Sequence, residues 1–303
     1  MHKPRLWFKA FGLVFGLSLL GWIISDAIEQ SQSVAWPPIP VGYVITAFGM
    51  ALVARYVHAI AWVVGAREIE PEIGWVTGVA TYSVAFLGRY IPGKIWQVGG
   101  LIYFTRKRGA SAIDIGVFSV VFLVIYQSSG GILVLIAMAS QDMRFSAVII
   151  ILGTVLIAMA STLLWHRYAK HIVRILPARF ARYANGAFEQ RASVSIIMIT
   201  LMVATWVLLA TSGHVLTKGF QPAWEGTWDQ SAVAILGSIM VGFLVFIAPS
   251  GIGVREGMML VLLEAAGVDQ ISAFLIIVSH RLIMVAAEIA WGVAGIITLA
   301  ARP

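Results

Sequence analysis

A long apolar stretch at 75–105 is interrupted near its middle by Arg89-Tyr90-Ile91-Pro92-Gly93-Lys94. A second stretch, 231–265, is interrupted in the same way by Pro249-Ser250-Gly251-Ile252-Gly253-Val254-Arg255-Glu256. The arms on either side are about 11 to 18 residues long, and most are too short to cross roughly 30 Å of hydrocarbon. Each stretch is therefore predicted to form two half-helices that meet at a turn inside the membrane.

The composition is that of an integral membrane protein. Of 303 residues, 60% are hydrophobic and only 12% are charged, whereas a soluble domain is about 25% charged. The absence of cysteine excludes disulfides, thiolate chemistry and cysteine-based metal sites. The net charge of +7 is better explained by basic loops that face anionic lipids than by binding to nucleic acid.

Six other apolar runs are long enough to span a membrane, since a spanning helix needs about 20 residues. They are 6–25, 43–65, 113–139, 146–165, 193–216 and 271–299. The predicted fold is an all-α polytopic membrane protein with six spanning helices and two re-entrant broken-helix hairpins. The alternative is eight full spans, because that topology places every loop on the same side of the membrane as the hairpin topology does.

The distribution of Lys and Arg predicts the orientation. Lys3, Arg5 and Lys9 place the N-terminus in the cytoplasm, and the loop 26–42 has no Lys or Arg and is expected outside. The basic connector 166–192 is expected inside, either as an amphipathic surface helix or as a plain linker, and the C-terminus is also expected inside. These features predict a multi-pass protein of a bacterial inner (plasma) membrane.

The two halves of the single membrane domain, 1–303, have the same order of elements. Segments 6–139 and 146–299 each contain two helices, a broken hairpin and a further helix. The first hairpin is expected to enter from inside and the second from outside, which predicts an inverted-topology repeat. Interrupted helices at corresponding positions of such repeats point to a binding site near the midplane.

The first interruption has the features of an anion site. Pro92 and Gly93 favour a turn, and Lys94 then falls in the first turn of a half-helix, where the helix dipole opposes a cation unless an anion is bound. Arg89 offers a bidentate contact that suits phosphate, and Gln97 follows within the same half-helix. In the alternative interpretation Arg89 and Lys94 reach the cytoplasmic surface, where Tyr90 and Trp96 are interfacial aromatics.

The second interruption repeats this pattern. Its turn residues are Pro249, Ser250, Gly251 and Gly253. Arg255 is again a cation in the first turn of a half-helix, whereas Glu256 suits that position by its charge alone. An ionised pair between apolar flanks costs several kcal/mol unless it is partnered or hydrated, so we expect a functional role here.

The last apolar run contains three further polar residues, His280, Arg281 and Glu288. Arg281 and Glu288 are seven residues apart and share one helix face. They are expected either to line the binding site or to form structural ion pairs, with Arg281 bonded to Glu256 or Glu264. Arg55 and His58 also share a face, and they either line the same cavity or lie near the cytoplasmic surface.

These motifs resemble the transmembrane, flippase-like region of the lysylphosphatidylglycerol synthase family, the multiple peptide resistance proteins. The matching segments are 87–96, 249–257 and His280-Arg281-Leu282. Ser250 departs from the family pattern, which often has Gly there. The chain lacks the family's aminoacyl-transfer domain, so the resemblance implies a stand-alone translocation part.

The expected function is a lipid translocase that moves a phospholipid or a polyprenyl-phosphate-linked lipid between leaflets. The residues expected to bind the lipid phosphate are Arg89, Lys94, Arg255 and Arg281, with Glu256 paired to or positioning Arg255. One alternative is a membrane-embedded enzyme acting on a lipid-linked phosphate or sugar, with Glu256 or His280 as general base. Another is an accessory subunit that binds a glycosyltransferase or lipid-modifying enzyme. The sequence has no catalytic triad signature, metal-binding spacing, P-loop or dinucleotide motif, so no cofactor is expected.

Cysteine scanning tests the predicted topology, because the native chain has no cysteine. Single cysteines at 91–93 and 250–253 are expected to react poorly with membrane-impermeant maleimides, or only from the side on which their hairpin enters. Free labelling of 91–93 from the outside would show that the first broken stretch spans the membrane fully.

Overall fold

Four helices in the computed structural model are long and apolar enough to cross a membrane. The structure describes residues 38–91, 96–106, 111–140, 192–245 and 251–301. Within them the four long helices are α1 (Val41–Ile69), α4 (Ala112–Ser140), α5 (Ala192–Phe220) and α8 (Gln270–Ala301). The predicted spans 43–65, 113–139, 193–216 and 271–299 are thereby confirmed. The predicted spans 6–25 and 146–165, and all of the connector 166–192 except Ala192, lie outside the described residues.

Both broken stretches form pairs of shorter helices. The first contains α2 (Trp75–Phe86), a 3₁₀ helix (Leu87–Tyr90) and α3 (Trp96–Arg106). The second contains α6 (Trp228–Leu244) and α7 (Val254–Ala265). Helices of 11 or 12 residues are roughly 18 Å long, well short of the hydrocarbon thickness. The described residues contain helices and no strand, which confirms the all-α polytopic class.

Local sequence accounts for the ends of these short helices. Ile91 is extended (φ −82°, ψ 128°), because the residue before a proline is sterically excluded from the helical region. Gly251 and Gly253 have positive φ, which other residues rarely adopt. The backbone N–H of Gly253 then donates to Oε2 of Glu256 at 2.7 Å, so that Glu256 satisfies a free N–H group at the start of α7.

The first pair of short helices is an antiparallel hairpin. Gly88, near the end of the first arm, packs against the backbone of Trp96 at the start of α3, and Gly100 packs against Ala85 one turn further from the break. A Cβ atom at Gly88 would lie 2.8 Å from the carbonyl carbon of Trp96. Glycine is therefore required for the two arms to meet this closely.

The second pair has the same antiparallel arrangement. Gly242, near the end of α6, lies against Gly251 and Arg255, and Gly237 lies against Leu262 further along α7. A Cβ atom at Gly251 would lie 2.8 Å from both Cα and the carbonyl oxygen of Gly242. In both hairpins the two arms are therefore in direct backbone contact close to the break.

The long helices α1 and α5 pack together at the centre of the bundle and run antiparallel. Gly219 at the end of α5 contacts Tyr43 at the start of α1, whereas Gly65 at the end of α1 contacts Met198 at the start of α5. The first hairpin follows the end of α1 and the second follows the end of α5. The two hairpins therefore begin at opposite ends of this central pair.

The remaining helix contacts come in corresponding sets. In the first half α1 and α4 flank the hairpin α2–α3, and in the second half α5 and α8 flank the hairpin α6–α7. Helix α8 packs against α2, and its counterpart α4 packs against α6. Likewise α3 packs against α4 as α7 does against α8, and α1 packs against α2 as α5 does against α6. Each half thus encloses its own hairpin and also contacts the hairpin of the other half.

Two helix–helix contacts at glycines suggest a stability test of this packing. A Cβ atom at Gly295 of α8 would lie 2.8 Å from the carbonyl oxygen of Ala80 in α2, whereas one at Gly49 of α1 would meet nothing within 4 Å. Gly295→Ala is expected to destabilise the fold by about 1–3 kcal/mol through overpacking. Gly49→Ala is expected to be neutral or to stabilise by up to about 1 kcal/mol. Thermal unfolding in detergent measures both, and equal midpoints would contradict the observed packing of α2 on α8.

Candidate functional site

The two hairpins and the long helices enclose a cavity of about 90 Å³. This volume is enough for several water molecules or a small anion, and it is too small for a whole lipid. Apolar side chains form part of the wall, including Phe86, Leu123 and Ile239. The polar residues that line it are Arg55, His58, Arg89, Gln97, Tyr126, Gln127 and Arg255.

This cavity lies level with the middle of the spanning helices. Arg55 is the fifteenth of the 29 residues of α1, Tyr126 the fifteenth of 29 in α4, and Trp206 the fifteenth of 29 in α5. All three line the cavity, as do Arg89 and Arg255 from the two broken segments. The arginines near the breaks are therefore at the depth of the helix midpoints.

Glu288 of α8 joins the first hairpin to the central helix. Its Oε1 lies 3.2 Å from Nη1 of Arg89 and 3.5 Å from Nε of Arg55, and its Oε2 accepts a hydrogen bond of 2.6 Å from the hydroxyl of Tyr90. The ring of Phe86 is within cation–π distance of both guanidinium groups, at 4.9 Å from Arg89 and 5.2 Å from Arg55. One buried carboxylate thus forms ion pairs with two cations from different helices.

Glu256 connects the second hairpin to α8 in a similar way. Its Oε1 lies 3.5 Å from Nε of Arg281 in α8, while its Oε2 holds the start of α7. This is the structural ion pair that the sequence offered as one of two interpretations of Arg281. The expected pairing of Glu256 with Arg255 is replaced by this bond, because neighbouring residues in the first turn of a helix point in different directions.

Arg255 is bonded to a histidine. One of its terminal nitrogens lies 3.2 Å from Nδ1 of His280, and both residues are buried, at 5% and 1% exposure. A guanidinium group only donates, so Nδ1 accepts and the proton of the neutral imidazole is on Nε2. That Nε2 has no hydrogen-bond partner among the described residues. The cation of Arg255 is therefore hydrogen-bonded, and the described residues give it no ion pair.

The charges of this region do not cancel. Among the residues that the structure describes, four arginines, at positions 55, 89, 255 and 281, face two carboxylates, Glu256 and Glu288, which leaves an excess of two positive charges. In apolar surroundings an uncompensated ion is costly unless it is hydrated or meets a counter-ion. A bound anion would supply the missing negative charge, and guanidinium groups favour phosphate and carboxylate.

Two tyrosines that the sequence analysis did not select lie here: Tyr126 lines the cavity, and Tyr82 lies beside it. His58 stacks on Tyr126 with ring centroids 3.9 Å apart, and the hydroxyl of Tyr82 lies 3.2 Å from Nε2 of His58. Gln97 reaches the same hydroxyl with its amide nitrogen at 3.5 Å. Arg55 and His58 are thus buried at the cavity and do not extend to a membrane surface. The signal for Tyr126 was the polar run Tyr126-Gln127-Ser128-Ser129 in the middle of a long, mainly apolar helix.

The other predicted site residues fall into two groups. Trp96, at the start of α3, is half exposed on the surface, and Gly251 and Gly253 form the described part of the second turn. Pro92, Gly93, Lys94, Pro249 and Ser250 lie outside the described residues. The phosphate-binding roles assigned to Arg89, Lys94, Arg255 and Arg281 stay predictions, and Arg281 is not among the residues that line the cavity.

The shared carboxylate suggests an asymmetric response to mutation. Glu288→Gln leaves two cations without a counter-ion and is expected to destabilise the protein by about 3–5 kcal/mol. Arg55→Gln is expected to cost less, because Arg89 still balances Glu288. The double variant should be less destabilised than the sum of the two, with a coupling of about 0.5–3 kcal/mol. Unfolding in detergent measures these values, with Glu72→Gln at an exposed position as control. Equal losses for Glu288→Gln and Arg55→Gln would contradict the shared ion pair.

Comparison with known proteins assigns the chain to a family through a match to its sequence. No curated protein and no solved structure matches it. The family model described as the lysylphosphatidylglycerol synthase TM region matches residues 9–292, nearly the whole chain and both interrupted stretches. The chain is therefore a multi-pass membrane protein that belongs to the lysylphosphatidylglycerol synthase family through its transmembrane region.

Proposed function

We propose that this protein is a flippase-like lipid translocase. It moves a phospholipid or a polyprenyl-phosphate-linked lipid between the leaflets of a bacterial inner membrane by binding the lipid phosphate in the central cavity. The family supports a lipid-related function in the membrane. Translocation is preferred to other lipid-related functions because of the cavity and its charges.

One observation carries the proposal: three guanidinium groups, those of Arg55, Arg89 and Arg255, line a cavity at the middle of the spanning helices. A phosphate crossing the hydrocarbon meets its highest desolvation cost at this depth. Charge-assisted bonds to several arginines offset that cost at the depth where the bilayer offers no water. A polar cavity with excess positive charge lowers the barrier for an anionic headgroup in particular.

We infer that the two broken stretches are re-entrant hairpins of an inverted repeat, 6–139 and 146–299. The antiparallel arms, their start at opposite ends of the central pair and the corresponding helix contacts support this inference. In such proteins alternating access arises when one repeat rocks against the other around a fixed midplane site. The cavity has walls from both halves, so rocking would open it toward one side at a time.

The ion pairs of α8 suit this movement. Glu288 bonds to the first hairpin, and Arg281, two turns earlier on the same helix, bonds to the second. A phosphate that binds Arg55 and Arg89 competes with Glu288 for the same donors. Headgroup binding would thereby weaken one connection between α8 and the first hairpin. Transport would draw on an ion gradient or on removal of the lipid at the far side.

The enzyme alternative has less support from the described residues. Glu256 already bonds to Arg281 and to the start of α7, and His280 already accepts a hydrogen bond from Arg255 at Nδ1. Neither is placed as a free general base beside the cavity. The proposal also includes a cytoplasmic location of both termini and a glycosyltransferase or lipid-modifying enzyme as partner. Both of these points derive from the sequence alone.

A translocation assay in proteoliposomes tests the proposed function. Fluorescent phosphatidylglycerol and a fluorescent polyprenyl phosphate serve as probes, and dithionite quenching reports the leaflet. Arg255→Gln is expected to lower the rate by roughly tenfold or more, because a charge-assisted hydrogen bond contributes about 1.5–3 kcal/mol. Arg255→Lys should keep part of the rate, and Arg106→Ala, at an exposed position, is the matched control.

Two outcomes would contradict the proposal. One is that the folded wild-type protein moves neither probe faster than empty liposomes. The other is that Arg255→Gln, with an unfolding midpoint near that of the wild type, transports at the wild-type rate. A variant that fails to fold would be replaced by Arg55→Gln, which removes another guanidinium group from the same wall.

A further inference from the structure

A second, largely apolar groove lies on the outside of the bundle between α1, α2 and α8. Its volume is about 180 Å³, twice that of the central cavity. Its wall includes Ile60 from α1, Val76 and Val79 from α2, and Ala294 from α8. Val76 and Ala294 are exposed, so the groove lies on the outer surface of the described helices.

Aromatic residues hold the inner end of the groove in place. Trp291 of α8 stacks on Tyr56 of α1 with ring centroids 5.1 Å apart, and its indole N–H donates to the carbonyl oxygen of Leu52 at 2.9 Å. Gly295, one turn further along α8, packs directly on the backbone of Ala80 and forms part of the wall. The groove is therefore built on fixed side chains.

A small space, the neck, adjoins both this groove and the central cavity. It has a volume of about 10 Å³, roughly that of one water molecule, and Glu288 forms part of its wall. It shares Ser83 and Trp291 with the groove, and it shares Arg55 and Phe86 with the cavity. An apolar groove, a narrow neck with an ion pair and an arginine-lined cavity thus follow one another from the lipid toward the centre.

We propose that this groove holds a hydrocarbon chain of the lipid whose phosphate binds in the central cavity. The inference rests on the proposed function and names a binding site for the other end of the substrate. An amphiphile with an anionic head and an apolar chain matches the order of the three spaces in chemistry. The excess positive charge selects the head, and the groove accepts the chain without removing it from apolar surroundings.

Glu288 stands where the two parts of the lipid would join. In the structure Glu288 bonds to Arg55 and Arg89, and its side chain forms part of the wall of the neck. A phosphate entering from the groove would take over these guanidinium groups, and the carboxylate would be displaced from them. The neck would then widen enough for the headgroup to pass into the cavity, while the chain stays in the groove. This makes the groove between α1, α2 and α8 the lateral entrance of the site.

Photolabelling tests the groove independently of transport. Phosphatidylglycerol with a diazirine in one acyl chain is compared with diacylglycerol carrying the same chain, both in proteoliposomes. Labelling of 75–83 and 291–298 is expected to be several-fold stronger with phosphatidylglycerol. Arg55→Gln should remove this difference, because the chain occupies the groove only while the head occupies the cavity. Equal labelling by both lipids in the wild type would overturn the inference, since the groove would then be an ordinary lipid-facing surface.

A pair of adjacent substitutions tests the groove by function. Ala294→Trp places an indole in the groove, whereas Val293→Trp places it on the neighbouring exposed surface of α8. Ala294→Trp is expected to lower translocation of fluorescent phosphatidylglycerol at least tenfold, and Val293→Trp to leave it near the wild-type rate. Equal rates for the two variants would overturn the groove as the chain site while leaving the translocase proposal intact.

Two further outcomes separate the possibilities. If the wild type moves no lipid but labelling still depends on the headgroup, the translocase proposal is wrong and the groove remains a lipid-binding site. If a cysteine at 294 cross-links efficiently to a cysteine within 6–25, the groove belongs to the chain's own first predicted helix. That result would overturn the inference.

Discussion

Burying arginine at the middle of spanning helices is the constraint to which the other features of this structure respond. A charged group in hydrocarbon costs several kcal/mol unless partners or water surround it. Glu288 meets this cost for Arg55 and Arg89, and Glu256 meets it for Arg281. Because both Glu288 and Arg281 belong to α8, a single helix connects the two hairpins through opposite charges. The ion pairs therefore also determine how the hairpins sit against the spanning helices.

The partial neutralisation of these arginines connects stability with function. A fully balanced set of charges would have no electrostatic reason to bind an anion, and a set without carboxylates would strongly disfavour the folded state. In the described part of the chain, two carboxylates for four guanidinium groups leave the excess of positive charge on which the proposed binding of a phosphate rests. The hydrogen bond from Arg255 to His280 fits this intermediate condition, since it satisfies a donor without cancelling the charge. The cavity of about 90 Å³ is too small for a whole lipid, so in the proposed function the chain lies elsewhere, and the adjoining groove is the proposed place.

Much of the fold follows from local sequence. Apolar run length predicted the four described spans to within four residues at each end, and Pro and Gly located both breaks. The arginines selected beside the breaks, Arg89 and Arg255, do line the cavity. Tyr82 could not be selected from the sequence, where it looks like an ordinary aromatic residue of an apolar helix, whereas Tyr126 has a signal only in the polar residues that follow it. The roles of Arg55 and His58 were also undecided, because an arginine in an apolar run is compatible with both a buried cavity and a membrane surface.

By itself the sequence determined that this chain lies in a membrane, where its helices begin and end, and that two of them are broken beside cations. These properties depend on the conformational preferences of neighbouring residues and on the length of apolar runs. Both can be read directly from the order of the amino acids. Only the tertiary structure decided which charges meet. Arg89 and Glu288 are 199 positions apart, and Glu256 bonds to Arg281 and not to its neighbour Arg255. Helical periodicity relates residues a few positions apart, whereas these bonds form because packing brings a hairpin and a distant helix face to the same depth.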